Sequence, residues 1–208
     1  MGGVTLKERR GEAMPSLESG ALSPILLAHI VEPVVLGRAT YLCELVERLL
    51  PEGEPHARVF DDVTRAVGAL PFSDARLLRA FELRLLRETG ALPDLAPLVG
   101  GVSVVAFDPV DVRLLAHAST RSVPFSDAAV RAARALLDAN LPRVPDVDDE
   151  TLRVVARLFA AHLRRHGGPP LKSIAFLRAL ARSEAVARPS SVTIDDEAEQ
   201  AEGEEGPL

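Results

Sequence analysis

His162 and His166 lie four residues apart, a spacing that would let two imidazoles bind one metal ion from a single face of a helix. Arg164 and Arg165 lie between them, and the glutamate that a zinc hydrolase would carry between its two histidines is missing. The neighbouring positive charges oppose the binding of a cation. The pattern therefore favours a cationic surface over a metal site.

Positive charge is concentrated in the same part of the chain, because residues 151–188 contain eight basic residues and one acid, Glu184. On a helix, three of the arginines fall close to one face. A cationic face of this kind predicts sequence-independent contact with nucleic-acid phosphates; the alternative is a solvated face balanced by acids elsewhere. The residues assigned to this predicted DNA-binding surface are Arg153, Arg157, Arg164, Arg165, Lys172, Arg178 and Arg182.

The sequence offers no residue set for bond chemistry. Cys43 lies within an apolar helical stripe, where we expect a packed and inert thiol. The glycine pairs lack the strand–helix context and the lysine of a phosphate loop. The acidic run 146–150 fits the start of a helix, where the dipole favours anions. We therefore predict neither an enzyme nor a cofactor.

Negative charge is concentrated in a different segment. The whole chain has 24 basic and 30 acidic residues, a formal charge of −6. Residues 189–208 contain seven of the acids and no base, so we expect a disordered acidic tail that could pair with the basic residues. No apolar run approaches the about 18 residues of a membrane span, and a single cysteine suits a reducing compartment. These features predict a cytoplasmic protein without a membrane partner.

Apolar periodicity predicts a mainly α protein. Two short extended runs, 4–9 and 14–18, come first, and two β-rich runs, 102–107 and 112–117, predict a small hairpin. The tetrapeptide Pro-Phe-Ser-Asp occurs at 71–74 and 124–127, and in each copy we expect Ser to cap a helix and Phe to pack against it. The predicted helices cover 39–50, 59–70, 74–89, 126–139, 149–166 and 171–187.

Three segments carry a resemblance to a known family. Leu78 to Leu86 (LRAFELRLL, followed by Thr89-Gly90), Tyr41 to Val46 (YLCELV) and Leu171 to Leu177 (LKSIAFL) resemble, in the right order, helices of the RecO family of recombination mediators. The resemblance implies a non-enzymatic bacterial DNA-repair protein that assists strand annealing and recombinase loading, together with RecR and single-stranded-DNA-binding protein. The alternative is a helical protein–protein interaction module that has lost direct DNA binding.

The resemblance also implies a domain organisation. The family begins with an oligonucleotide-binding (OB) β-barrel, of which only residues 4–19 resemble a part. We therefore expect residual barrel strands in 1–22, a RecO-like helical domain in 23–188 with a β insertion at about 96–120, and the acidic tail in 189–208.

Two predicted sites follow from the same resemblance. Many RecO proteins hold zinc with two Cys-x-x-Cys pairs, but the matching positions here are Ala96, Val99, Ala116 and Ser119, so we predict no metal and an insertion held by apolar side chains instead. RecO proteins also dock the acidic, Phe-terminated tail of single-stranded-DNA-binding protein, which requires an arginine for the terminal carboxylate. Arg79 fits that role by position, with Arg76 one turn earlier. For Arg79 the alternative is a surface ion pair.

Overall fold

The computed structural model describes residues 32–141, 143–166 and 169–187, and the backbone of two strands before them. Over these residues the fold is mainly α, as predicted. The helices are α1 (Pro33–Leu49), α2 (Ala57–Ala69), α3 (Ala75–Glu88), α4 (Asp127–Asp138), α5 (Asp149–His166) and α6 (Lys172–Ala187). The strands are β1 (Val4–Lys7), β2 (Ser16–Gly20), β3 (Ala106–Asp108), β4 (Arg113–Leu115) and β5 (Val123–Pro124). The expected acidic tail lies outside the described residues.

Helix α3 is the centre of the core. It packs against α1, α2, α4 and α5, so it has little surface left for water. A helix that is apolar on most of its circumference is stable only in such a position. Its buried residues are Leu77, Leu78, Ala80, Phe81, Glu82, Leu83, Leu85 and Leu86.

Helix boundaries follow local signals more closely in the second half of the chain than in the first. Helix α5 has the predicted bounds, α4 is one residue shorter than predicted at each end, and α6 starts one residue later than predicted. Helix α1 begins at Pro33, well before the predicted start at Ala39. Proline is well suited to the first helical turn, because the N–H that it lacks would have no partner there.

The two Pro-Phe-Ser-Asp copies start their helices differently. Ser126 caps α4 as predicted, its Oγ accepting the N–H of Ala129 at 3.2 Å. In the first copy Asp74 is the cap, because its Oδ1 accepts the N–H of Arg76 at 2.8 Å. The predicted cap, Ser73, instead donates its hydroxyl to the carbonyl of Ala69.

The phenylalanines of the two copies differ as well. Phe125 is 2 % exposed and belongs to the core, whereas Phe72 is 76 % exposed. The apolar periodicity of α2 includes Phe60 and predicts its burial, but Phe60 is also exposed. Helix α2 packs mainly against α1 and α3, and its buried residues form a narrow stripe that excludes Phe60. A hydrophobic residue at helical spacing is thus not always a core residue.

The β insertion contains a third strand that the sequence did not predict. Strand β3 pairs antiparallel with β4, as the predicted hairpin requires, and also with β5, so the sheet extends to Pro124. Of the apolar side chains expected to hold this insertion, Val104 and Phe107 are buried, but Val105 is exposed. The carboxylate of Asp127, the first residue of α4, accepts the N–H of Val104 at 2.9 Å and ties the sheet to the helix.

Helix α6 approaches α1 closely at Gly37. A Cβ atom at this position would lie 2.7 Å from Cδ2 of Leu177 and 3.0 Å from Cδ1 of Phe176. The resemblance of the segment 171–177 implies a buried phenylalanine at position 176, but Phe176 is 42 % exposed. Cys43, on another face of α1, is exposed rather than packed, although partial burial raises the pKa of its thiol.

The close approach at Gly37 gives a test of how α6 docks. We expect Gly37→Leu to lower the free energy of unfolding by about 1–3 kcal/mol, because the new side chain must displace Leu177 and Phe176. Gly68→Leu is the matched control, since no atom lies within 4 Å of a Cβ built there. Urea unfolding followed by circular dichroism measures both. Equal stabilities of the two variants would contradict the described packing of α6.

Candidate functional site

A carboxylate is buried in the middle of the helical core. Glu82, on α3, is 1 % exposed. Its Oε1 accepts the phenolic hydroxyl of Tyr41, on α1, at 2.5 Å, and it lies 2.7 Å from Nη2 of Arg79, one turn earlier on α3. The side chain of Arg79 is 19 % exposed, so this ion pair reaches from the core to the surface.

Burial governs the protonation of this cluster. It raises the pKa of the Glu82 carboxyl above its usual value, although Arg79 and Tyr41 act in the opposite direction. Burial, together with the nearby Glu82, raises the pKa of Tyr41 well above its usual value. The phenol therefore stays protonated and donates to Glu82. The guanidinium of Arg79 lies at the surface edge of the cluster.

Arg79 and Tyr41 line an apolar cleft of about 400 Å³. The cleft exists because α6 packs mainly against α1 while α5 packs against α3 and α4, which leaves a gap between α5 and α6. Its charged side chains are Arg79 and Arg178, and the remainder of its lining is apolar apart from Tyr41. Those other lining residues are Leu78, Ala156, Phe159, Ala160, Leu163, Ile174, Leu177 and Ala181.

A second groove of about 360 Å³ adjoins the cleft, shares Ala160, Leu163, Ile174 and Arg178 with it, and is more basic. Arg48, Arg164 and Arg178 line it, together with Pro169 and Pro170. Arg178 thus borders both grooves. Two of the predicted DNA-binding residues come together here, and Arg48 of α1, which the sequence reasoning did not assign, joins them.

The N-terminus of helix α6 is held by a carboxylate from α1. Glu44 accepts the N–H of Lys172 at 2.8 Å, the N–H of Ser173 at 3.0 Å and the Ser173 hydroxyl at 2.5 Å. Burial acts to raise the pKa of Glu44, but these hydrogen bonds and the charge of Arg48 outweigh it and hold the pKa below its usual value. The carboxylate therefore caps the N-terminus of α6 from a different helix.

The other predicted DNA-binding residues are exposed but are not grouped together. Arg165 donates from Nη1 to the carbonyl oxygens of Pro109, at 2.6 Å, and Val110, so it fastens α5 to the β3–β4 turn. Arg153 donates to the carbonyl of Asp149 on its own helix. Arg157, Lys172 and Arg182 are exposed on α5 and α6.

The two arginines assigned to partner binding have different surroundings. Arg76 pairs with Asp74 at 2.6 Å and with Asp146, so it connects the start of α3 to the chain before α5. It is not among the described residues that line the cleft. Of these two arginines, Arg79 alone borders the cleft. The two lie one turn apart on the same helix, so sequence spacing could not distinguish them.

Known proteins are similar to this chain over the same helices. Residues 32–175 match the family described as "Recombination protein O C terminal". A protein named DNA repair protein RecO from Anaeromyxobacter sp. is 34 % identical over 182 residues, covering 76 % of this chain and 69 % of the relative. Another of that name, from Verminephrobacter eiseniae, is 39 % identical over 106 residues, covering 49 % of this chain and 37 % of the relative. The chain belongs to the RecO family.

The four positions that the resemblance matches to zinc cysteines lie on either side of strands β3 and β4. Ala96 and Val99 lie in the segment before β3, and Ala116 and Ser119 follow β4; three of the four are exposed and Ala116 is half-buried. Among the described residues, no group of three or more His, Cys, Asp or Glu side chains could hold a metal ion. Within the same residues, no helix combines the length and hydropathy needed to cross a bilayer.

Two functional candidates in this RecO chain were missed by the sequence reasoning. Tyr41 and Glu82 both fall at helical spacing with leucines, so Tyr41 was assigned to an apolar stripe and Glu82 was not assigned at all. A signal was present: Glu82 follows Leu78 by four residues and precedes Leu85 by three, which puts an acid on a core-facing stripe. A buried acid requires a partner, and Tyr41 is the only tyrosine of the sequence.

Removing the buried Tyr41 hydroxyl should destabilise the protein more than removing an exposed hydroxyl. Tyr41→Phe should lower the free energy of unfolding by about 1–3 kcal/mol, because Glu82 loses a hydrogen bond where water cannot replace it. Thr40→Val removes a hydroxyl from the adjacent exposed position and should change stability by no more than about 0.5 kcal/mol. Urea unfolding at neutral pH measures the difference. Equal losses in both variants would show that the Tyr41–Glu82 bond does not contribute.

Proposed function

We propose that this chain acts as a non-enzymatic mediator in DNA repair and recombination. In this role it receives the acidic, Phe-terminated tail of single-stranded-DNA-binding protein in the cleft between α5 and α6. The single observation that carries the proposal is an apolar cleft bordered by two arginines, one of which, Arg79, is held by a buried carboxylate. Membership of the RecO family supports it.

The cleft has the chemistry that such a peptide needs. A phenylalanine ring placed among Phe159, Leu163 and Leu177 would gain about 2–3 kcal/mol from leaving water. The peptide's terminal carboxylate would accept charge-assisted hydrogen bonds from Arg178 or Arg79. A guanidinium has five N–H donors, so the pairing of Arg79 with Glu82 still leaves donors for a ligand.

The buried cluster gives Arg79 a fixed position in this proposal. A long arginine side chain loses rotamer entropy when it is held on a ligand. Because Glu82 already restrains Arg79, part of that cost is met in the free protein, which is how preorganisation raises affinity. Glu82 and Tyr41 are then positioning residues rather than ligand contacts.

DNA contact is the second part of the proposal. The exposed cations of α5 and α6, with the groove formed by Arg48, Arg164 and Arg178, would bind phosphates without reading sequence. By its family, the chain would anneal single strands and, together with RecR, assist recombinase loading in the bacterial cytoplasm, at the nucleoid. The competing proposal is an interaction module without DNA binding. It is favoured by the use of Arg165 and Arg48 to bind backbone carbonyls.

Peptide docking can be tested with the full chain. The probe is a fluorescent synthetic peptide with an acidic sequence and a C-terminal Phe, measured by anisotropy. Amidating the C-terminus of the peptide should weaken binding by about tenfold, since one charge-assisted interaction is worth about 1.4 kcal/mol or more. Arg178→Ala should weaken binding by about fivefold or more.

Matched controls are available in the same chain. Arg182→Ala changes an exposed arginine one turn further along α6, and Arg76→Ala changes the arginine that pairs with Asp74 and Asp146. Both should retain the affinity of the unmodified chain. If the amidated peptide or Arg178→Ala binds as well as the originals, carboxylate recognition at this cleft is wrong.

DNA contact predicts a change in salt dependence. Arg164→Ala should weaken binding of a single-stranded oligonucleotide and reduce the slope of log K against log salt by about 0.7, the value for one phosphate contact on a single strand. Arg58→Ala, on α2, is the control and should leave the slope unchanged. Arg164 is a better probe than Arg165, which supports the β3–β4 turn. Absence of oligonucleotide binding by the unmodified chain, with peptide docking intact, would favour the interaction module.

A further inference from the structure

The sequence that follows α6 carries negative charge, whereas the charged residues of the cleft between α5 and α6 are positive. Residues 189–208 contain seven acids and no base. Helix α6, which contributes Arg178 and Ala181 to the cleft, ends at Ala187, directly before this segment. The acidic segment is therefore attached to one wall of a cleft whose charged residues are both arginines.

We propose that the acidic segment 189–208 folds back into this cleft and competes with the incoming acidic peptide. The inference rests on the proposed function in one respect, that the two ligands share a site. The segment itself lies outside the described part of the chain.

The length of the chain is sufficient. From Ala181, in the cleft lining, to Ala187 at the end of α6 the helix rises about 9 Å. The eight residues from there to Asp195 can span at most about 26–29 Å. The first acids can therefore turn back and reach Arg178 without any change in α6. A tether of this length holds the segment at an effective concentration of about a millimolar, so a weak contact is enough to occupy the cleft.

The composition suits both parts of the cleft. Ile194 immediately precedes the acidic run Asp195–Glu197. An apolar side chain for the Phe159–Leu163 wall is thus followed by carboxylates for Arg178 and Arg79. Non-specific attraction to the scattered cations of α5 and α6 would depend only on the acidic charges. Binding in the cleft would depend on Ile194 as well, which distinguishes the two.

The test uses full-length variants. In the tail-neutral variant the seven acids are replaced by their amides: Asp195→Asn, Asp196→Asn, Glu197→Gln, Glu199→Gln, Glu202→Gln, Glu204→Gln and Glu205→Gln. At low salt this variant should bind the synthetic Phe-terminated acidic peptide about five to ten times more tightly than the unmodified chain. Such a gain corresponds to a segment that occupies the cleft about 80–90 % of the time. Ile194→Ser, which keeps every charge, should give part of the same gain.

A direct measurement separates this inference from the proposed function. A labelled synthetic peptide of residues 189–208 should bind the tail-neutral variant, and Arg178→Ala should weaken that binding while Arg182→Ala does not. The inference is overturned if neither Arg178→Ala in the chain nor Ile194→Ser in the 189–208 peptide weakens binding of that peptide. It is also overturned if the unmodified and tail-neutral chains bind the Phe-terminated peptide with equal affinity. Failure of the Phe-terminated peptide to bind either chain, with Arg178-dependent binding of the 189–208 peptide, would instead reject the proposed function and the competition, and would support only the folding of the segment into the cleft.

Discussion

The buried carboxylate of Glu82 constrains the rest of the helical domain. Removing a charged carboxylate from water costs several kcal/mol unless donors surround it, and the donors here come from two helices. Tyr41 fixes the position of α1 against α3, and Arg79 extends the cluster to the surface. An apolar residue at position 82 could pack as well, but it would not define where Arg79 lies. The cluster thus links the packing of the core to the charge at the candidate cleft.

The cleft follows from how the last helix is attached. Helix α6 contacts α1 through the space left by Gly37, and its N-terminus is capped by Glu44, also from α1. Helix α5 is held by α3, α4 and the β insertion, the last through Arg165. Because the two helices are anchored to different partners, their facing apolar side chains stay partly uncovered. That explains how an apolar cleft persists in a small domain that otherwise buries its leucines efficiently.

Local signals in the sequence were sufficient to predict the fold class and most helices. The bounds of α5 follow from acids in its first turn and the glycines after His166, both of which act within a few residues. The cap of α3 was wrong because Ser73 and Asp74 are both good caps, and the choice depends on the carbonyl of Ala69. Burial of Phe60 was wrong because it depends on how many helices cover α2. Partners distant in sequence, such as Tyr41 with Glu82, are determined by tertiary packing that periodicity does not encode.

The candidate site shows why arginine content alone is a poor guide to function. Arg76, Arg84 and Arg165 bind carboxylates or carbonyl oxygens of other elements and so hold the fold together. Arg164 and Arg178 instead line grooves. A count of charges does not distinguish arginines that hold the fold together from arginines that line grooves. The excess of bases in residues 151–188 includes both kinds. What distinguishes a ligand-binding arginine is an adjoining concave apolar surface, because there a carboxylate or phosphate is bound together with the group that carries it. By that criterion Arg178, which borders both grooves, is the residue through which peptide, DNA and the acidic segment would compete.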